Sequence, residues 1–131
     1  MNFFPTKILL ATDGSEDAKL ATSTAIDLAN KIGSELHVVH VVDLVSGVVL
    51  DEAEVRGLLD AVLRQTEEVG SIWAQAHLSE GAPAAEIVSL GEQIGAGLIV
   101  VGTRGLGGVR RALMGSVLIA LFGTLTARFW W

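Results

Sequence analysis

Apolar residues fall along this chain in two alternating kinds of block. Residues 7–12, KILLAT, form a short continuous apolar run bounded by Pro5 and by Asp13-Gly14-Ser15. A run of that length between turn-forming residues predicts a strand buried on both faces. Beyond it Ala18, Ala21, Ala25, Leu28, Ala29 and Ile32 recur at helical spacing. Ser15 is suited to cap that helix and Gly33 to stop it. Residues 36–42, LHVVHVV, are rich in β-branched side chains and predict a second buried strand. A loop containing Ser46-Gly47 follows. Asp51 and Glu54 then have capping-box spacing, with an acid in place of the usual hydroxyl. Val55, Leu58, Leu59, Val62, Leu63, Thr66 and Val69 mark one face of a second helix, which Gly70 ends. Residues 72–78 alternate weakly and predict a third strand at a sheet edge. Pro83 suits the first turn of a third helix, with Ile87, Leu90 and Ile94 inward and Gly95 as the stop. Residues 98–101, LIVV, predict a fourth strand, and a glycine-rich loop over 102–108 follows. Gly115 and Ser116 then open a last helix to about Phe122, and residues 124–131 supply a fifth strand.

Strands alternating with helices imply parallel pairing through right-handed crossovers. The expected fold is a doubly wound α/β domain, with a parallel five-stranded sheet in the order 3-2-1-4-5. One domain is expected to span residues 1–131. In such sheets ligands sit beyond the carboxyl ends of the strands, where the winding direction reverses.

Composition narrows the functions available. The chain has no cysteine, which removes disulfides, thiolate metal sites and cysteine nucleophiles. Nine basic against fifteen acidic residues give a formal charge of −6, which argues against a broad grip on nucleic acid. Arg104, Arg110 and Arg111 nevertheless lie close together beside glycines, so a local anion site fits. Residues 1–7 lack a charged n-region followed by an apolar run, and the apolar stretch 112–125 falls short of the roughly 20 residues of a membrane span. The expectation is a cytoplasmic protein without a membrane segment.

The segment richest in chemistry is GTRGLGG at 102–108, continuing to Gly115-Ser116. Glycines let the backbone approach a ligand, and successive free amides form an anion-binding nest. The amino end of a following helix adds unpaired amides, and Ser116 can donate a hydroxyl to a phosphate oxygen. The loop is not a Walker sequence, and it follows the fourth strand, whereas a Rossmann fingerprint follows the first. His37 and His40 are three apart on a strand and so point to opposite faces, which disfavours a shared metal. His77 reads as a strand or surface residue, and Trp73 as a packing residue. No serine–histidine–acid set can be assembled, and no catalytic residue or protein metal ligand is assigned.

The pattern G-x-x-G, nine residues, then G-S resembles the nucleotide signature of the universal stress protein family, with Gly102, Gly105, Gly115 and Ser116 in register. KILLATDGSE, LHVVHVVD and EGAPAAEIVSLGEQIGAGLIVVGTRG resemble that family's other segments, so the likeness covers about residues 5–117. It implies an adenine nucleotide alpha hydrolase-like fold and a stress-response regulator that binds ATP or a related adenine nucleotide, with Mg2+ or Mn2+ accompanying the phosphates. By the same resemblance, Ala11, Thr12 and Asp13 would line the adenine and ribose side, and the backbone around Val41 would read the adenine edge. Val101, Gly102, Arg104 and Gly105 would flank the nucleotide, while Gly115, Ser116 and Val117 take the phosphates. A capping-turn role for Asp13 stands beside that assignment. Hydrolysis would be slow, since no general base is evident near the loop. A homodimer is the implied assembly.

Three features depart from the family pattern. Gly97 stands where an acid is usual, and Leu118 where a second hydroxyl is usual. From Leu118 onward LIALFGTLTARFWW is unlike the family, and reads as a divergent, truncated or altered-frame tail. The competing reading is therefore a nucleotide-free dimeric interaction or scaffold module of the same fold. An adenylyl transferase is a third, for which no catalytic motif is present.

Overall fold

The computed structural model describes residues 7–43, 51–102, 117–122 and 127–130. The chain runs β1 (Lys7–Ala11), α1 (Glu16–Ile32), β2 (Glu35–Asp43), α2 (Glu52–Val69), β3 (Ala74–Gly81), α3 (Pro83–Ile94), β4 (Leu98–Gly102), β5 (Val117–Phe122) and β6 (Ala127–Trp130). Strands β3, β2, β1 and β4 lie side by side in that order, all parallel, as the alternation of elements predicts. This is an α/β fold on a parallel sheet.

The continuous apolar runs of β1, β2 and β4 have a physical cause visible in the packing. Successive side chains of a strand point to opposite faces, and both faces are covered. Ile8, Leu10, Leu36, Val38, Leu98 and Val100 pack with Ala21, Ala25 and Ala29 of α1 and Val62 of α2. Leu9, Ala11, Val39, Ile99 and Val101 pack on the other face with Ile87 of α3 and Ala96. The alanine stripe of α1 offers little bulk, which lets that helix lie close to the sheet. Gly91 does the same for α3. A methyl group there would sit 2.8 Å from Cδ1 of Ile99.

Local signals set the helix ends. Ser15 accepts from the Ala18 amide at the start of α1, and Gly33 closes the helix in the left-handed conformation. Asp51 and Glu54 form both halves of the capping box of α2. Pro83 occupies the first turn of α3. The third strand starts and ends later than the sequence suggests, at 74–81 rather than 72–78. Pairing with β2 fixes its register, from Leu36 opposite Ala74 to Asp43 opposite Gly81.

The carboxyl-terminal segment differs from expectation. Residues 117–122, expected as a helix, form β5, which pairs antiparallel with β4 from Gly102–Val117 to Leu98–Leu121. The expected fifth strand at 124–131 becomes the sixth, β6, antiparallel to β5. The run VLIALF is apolar at every position and carries no period, so its pattern suits a buried strand as well as a buried helix. Pairing decides the matter, because a strand here covers the open edge of β4 and satisfies its polar backbone groups. Among the described residues no helix is long and apolar enough to cross a membrane.

Leu10 is fully buried in the centre of the sheet, whereas Leu20 on α1 is exposed. Leu10→Ala is expected to cost about 2–5 kcal/mol. Leu20→Ala should stay within about 0.5 kcal/mol of the parent. Urea unfolding of both variants, with midpoints compared at unchanged slope, checks the difference.

Candidate functional site

The parallel strands end at different heights. The last paired residue of β1 is Ala11, opposite Val39 of β2 on one side and Val101 of β4 on the other. Strand β2 continues to Asp43 and β4 to Gly102. The chain winds from β1 outward through β2 to β3, then returns to place β4 on the opposite side of β1. The winding therefore reverses at β1, which in such sheets places the ligand crevice beyond that strand's carboxyl end.

The turn leaving β1 is held on several sides. The Thr12 amide donates to the Val39 carbonyl at 2.9 Å. The Thr12 carbonyl accepts from Nδ1 of His40 at 2.9 Å, and both residues are buried. The Asp13 carboxylate accepts from the Ser15 amide at 2.9 Å through Oδ1, which makes it the turn's own brace, with the side chain exposed to solvent. Gly14 has a φ of 80°, in the left-handed region, and a Cβ there would lie 2.7 Å from Cδ2 of Leu58 on α2. Only glycine meets both constraints. Leu58 thus packs against the turn that presents Asp13.

Of the residues singled out from sequence, Ala11, Thr12 and Asp13 lie together at the end of β1. Val101 and Gly102 lie beside them at the end of β4. Val41 is half-buried near the end of β2, packed against the α3-side core. Val117 stands opposite Gly102 at the end of β4. Val117 is the first residue of a strand, which corrects its expected place in the first turn of a helix. Arg104, Gly105, Gly115 and Ser116 lie outside the described residues, as do Arg110 and Arg111. His40 was read from sequence only as an improbable metal ligand. Its bond to Thr12 spans 28 positions, and nothing in the local pattern signals it.

A second polar cluster lies along β2 and β3, from Glu35 at the start of β2 to His77 opposite Val39. His37 Nε2 donates to Glu35 at 3.2 Å, and His37 Nδ1 shares a hydrogen bond of 2.9 Å with Nε2 of His77. The two imidazoles are stacked, with Trp73 tilted against His37. His37 and His40 do face opposite ways. Among the described residues no group of three or more His, Asp or Glu is arranged to hold a metal ion.

The universal stress protein family model matches residues 5–125. A universal stress protein of Methanocaldococcus jannaschii is 34% identical over 125 residues, covering 85% of this chain and 72% of that protein. A solved universal stress protein of Burkholderia pseudomallei is 30% identical, covers 83% of this chain and 91% of that one, and superposes with a TM-score of 0.65. The chain belongs to the universal stress protein family. Two further structures share the fold at 22% identity. One is a universal stress protein in complex with cAMP, with a TM-score of 0.65 over 86% of each chain. The other is an Arabidopsis thaliana family member with AMP bound, with a TM-score of 0.60 over 82% of each chain.

Two predictions follow from this geometry. Gly14→Ala should destabilise the domain by about 1–2 kcal/mol through its left-handed backbone alone. Adding Leu58→Ala should relieve the clash but not that strain, so a double-mutant cycle in urea should show favourable coupling between the two changes. For the second, burial, aided by the neighbouring His37, holds the His77 imidazole below its ordinary 6.5. The folded state then takes up a proton less readily than the unfolded one. Its stability contribution is complete above the unfolded pKa and is lost as the pH falls below it. The urea midpoint should therefore drop on going from about pH 7 to about pH 5, and drop less in His77→Gln.

Proposed function

We propose that this universal stress protein binds an adenine nucleotide, ATP in the first instance, and acts as a cytoplasmic stress-response regulator. The observation that carries the reading is the convergence at one sheet edge. The early end of β1 gathers Ala11, Thr12 and Asp13, the tail of β2 at Val41, and the end of β4 at Val101 and Gly102, with Val117 opposite Gly102. The adenine nucleotides of the two more distant structures, cAMP and AMP, support the choice of ligand.

In this reading each group has work suited to its chemistry. The exposed Asp13 carboxylate keeps acceptor capacity beyond its bond to Ser15, and accepts from ribose hydroxyls or the adenine amine. The main chain at Val41 reads the base edge. Val101 and Gly102 flank the nucleotide with Arg104 and Gly105. The phosphates go to Gly115, Ser116 and Val117, with Mg2+ or Mn2+ carried by the phosphates rather than by a protein cage. Leu118 supplies no hydroxyl, which lowers phosphate affinity by about the worth of one hydrogen bond, ~1 kcal/mol. We assign no general base, so any hydrolysis is slow. The chain acts as a single domain and pairs as a homodimer.

One observation favours a second reading. Strand β5 begins at Val117, where nucleotide binding would use the amino end of a helix. A nucleotide-free dimeric interaction module of the same fold would have no need of that helix end.

Isothermal titration with ATP and Mg2+ separates the two. The first reading expects saturable heat at micromolar nucleotide, with affinity reduced about tenfold in Asp13→Ala, the loss of a charged hydrogen-bond acceptor. Absence of heat at high micromolar nucleotide favours the interaction module.

A further inference from the structure

We propose that His40 is a positioning residue for base recognition. Its imidazole occupies the Thr12 carbonyl where the β1–β2 ladder stops, and so keeps the Val41 amide for the ligand. This rests on the adenine-nucleotide reading and adds a residue to which no role in that site had been given.

The ladder geometry makes the case. Strand β1 pairs with β2 as far as Ala11 opposite Val39, and the Thr12 amide donates to the Val39 carbonyl. Backbone polar groups along a strand alternate sides, so those of Val39 and Val41 are directed to the same side, that of β1. One more step of a parallel ladder would place Thr12 opposite His40, and the Thr12 carbonyl would accept from the Val41 amide. The register stops short of that step, and the Thr12 carbonyl accepts from His40 Nδ1 at 2.9 Å instead.

Two consequences follow. A carbonyl can only accept, so Nδ1 of His40 carries the hydrogen. A buried carbonyl left without a donor would be costly, so the imidazole is what allows β1 to leave the ladder early. The Val41 main chain then faces the crevice beyond β1, beside Thr12 and Asp13. An N–H and a C=O on one strand edge match a ring nitrogen and an exocyclic amine, the pattern of adenine. They oppose the ring N–H and carbonyl of guanine. Without the imidazole, the Val41 amide is free to close onto Thr12.

The test titrates the parent, His40→Asn and His40→Leu with Mg2+-ATP and Mg2+-GTP, and follows urea unfolding of each. The side-chain amide of His40→Asn can replace the Nδ1 donor; leucine cannot. The parent should prefer ATP. His40→Leu should lose about tenfold in ATP affinity, the scale of one buried hydrogen bond, together with the preference, while His40→Asn keeps both. Equal losses in the two variants, or an unchanged preference in His40→Leu, overturn the proposal. A parent that binds ATP and GTP alike overturns it but leaves the nucleotide reading standing. A parent that binds neither overturns both. Nitrogen-15 NMR of the imidazole in the ligand-free parent gives a separate reading that needs no variant to fold. The Nδ1–H form is expected, and the Nε2–H form overturns the proposal.

Discussion

The central strand of this sheet has both faces buried and a neighbour on each side, so its backbone must be satisfied wherever its ladders stop. Strand β1 stops at Ala11, before β2 and β4 do. That difference in height lies where sheets of this winding form their ligand crevice. It also forces a solution for the Thr12 carbonyl, which His40 supplies from the adjacent strand. The turn that follows spends its side chains on closing itself: Asp13 braces Ser15, and Ser15 caps α1. Packing and site are therefore one problem here. The residues that terminate the central strand are those facing the crevice.

Much of the fold was legible in the sequence because its local signals are redundant. Both faces of β1, β2 and β4 are covered, which turns their patterns into unbroken apolar runs. The caps Ser15 and Asp51 and the first-turn Pro83 mark three helix starts within a residue. The order of four strands follows from the alternation of elements. The segment after Gly102 was not legible in the same way. VLIALF has no period to read, and whether it coils or pairs depends on the open edge of β4, which no local rule expresses. The edge strand β3 was misplaced by a few residues for a related reason. Its polar end, Ser79-Glu80, is held in the sheet by register with β2.

The site divides along the same line. Asp13 and the neighbouring residues of β1 were visible as an acidic turn after a buried strand, and the glycines of 102–116 as a spaced signature. The turn role of Asp13 was legible too: it braces Ser15 while its side chain stays exposed. His40 was not visible. Its partner is distant in sequence, and a histidine within an apolar strand looks the same whether it packs or bonds a carbonyl. His37 and His77 show how far context decides. His37 lies on the same strand as His40, yet it faces the other side and pairs with His77.

The proposed adenine nucleotide lies beyond the carboxyl end of β1. Titration of nitrogen-15-labelled protein with AMP, followed amide by amide, tests that placement most directly. Saturable shifts are expected on Thr12, Asp13, Val41 and Gly102, with Glu35 and Trp73 at the amino end of the sheet unmoved. A titration that leaves the first group in place, or that moves Glu35 and Trp73 instead, contradicts it.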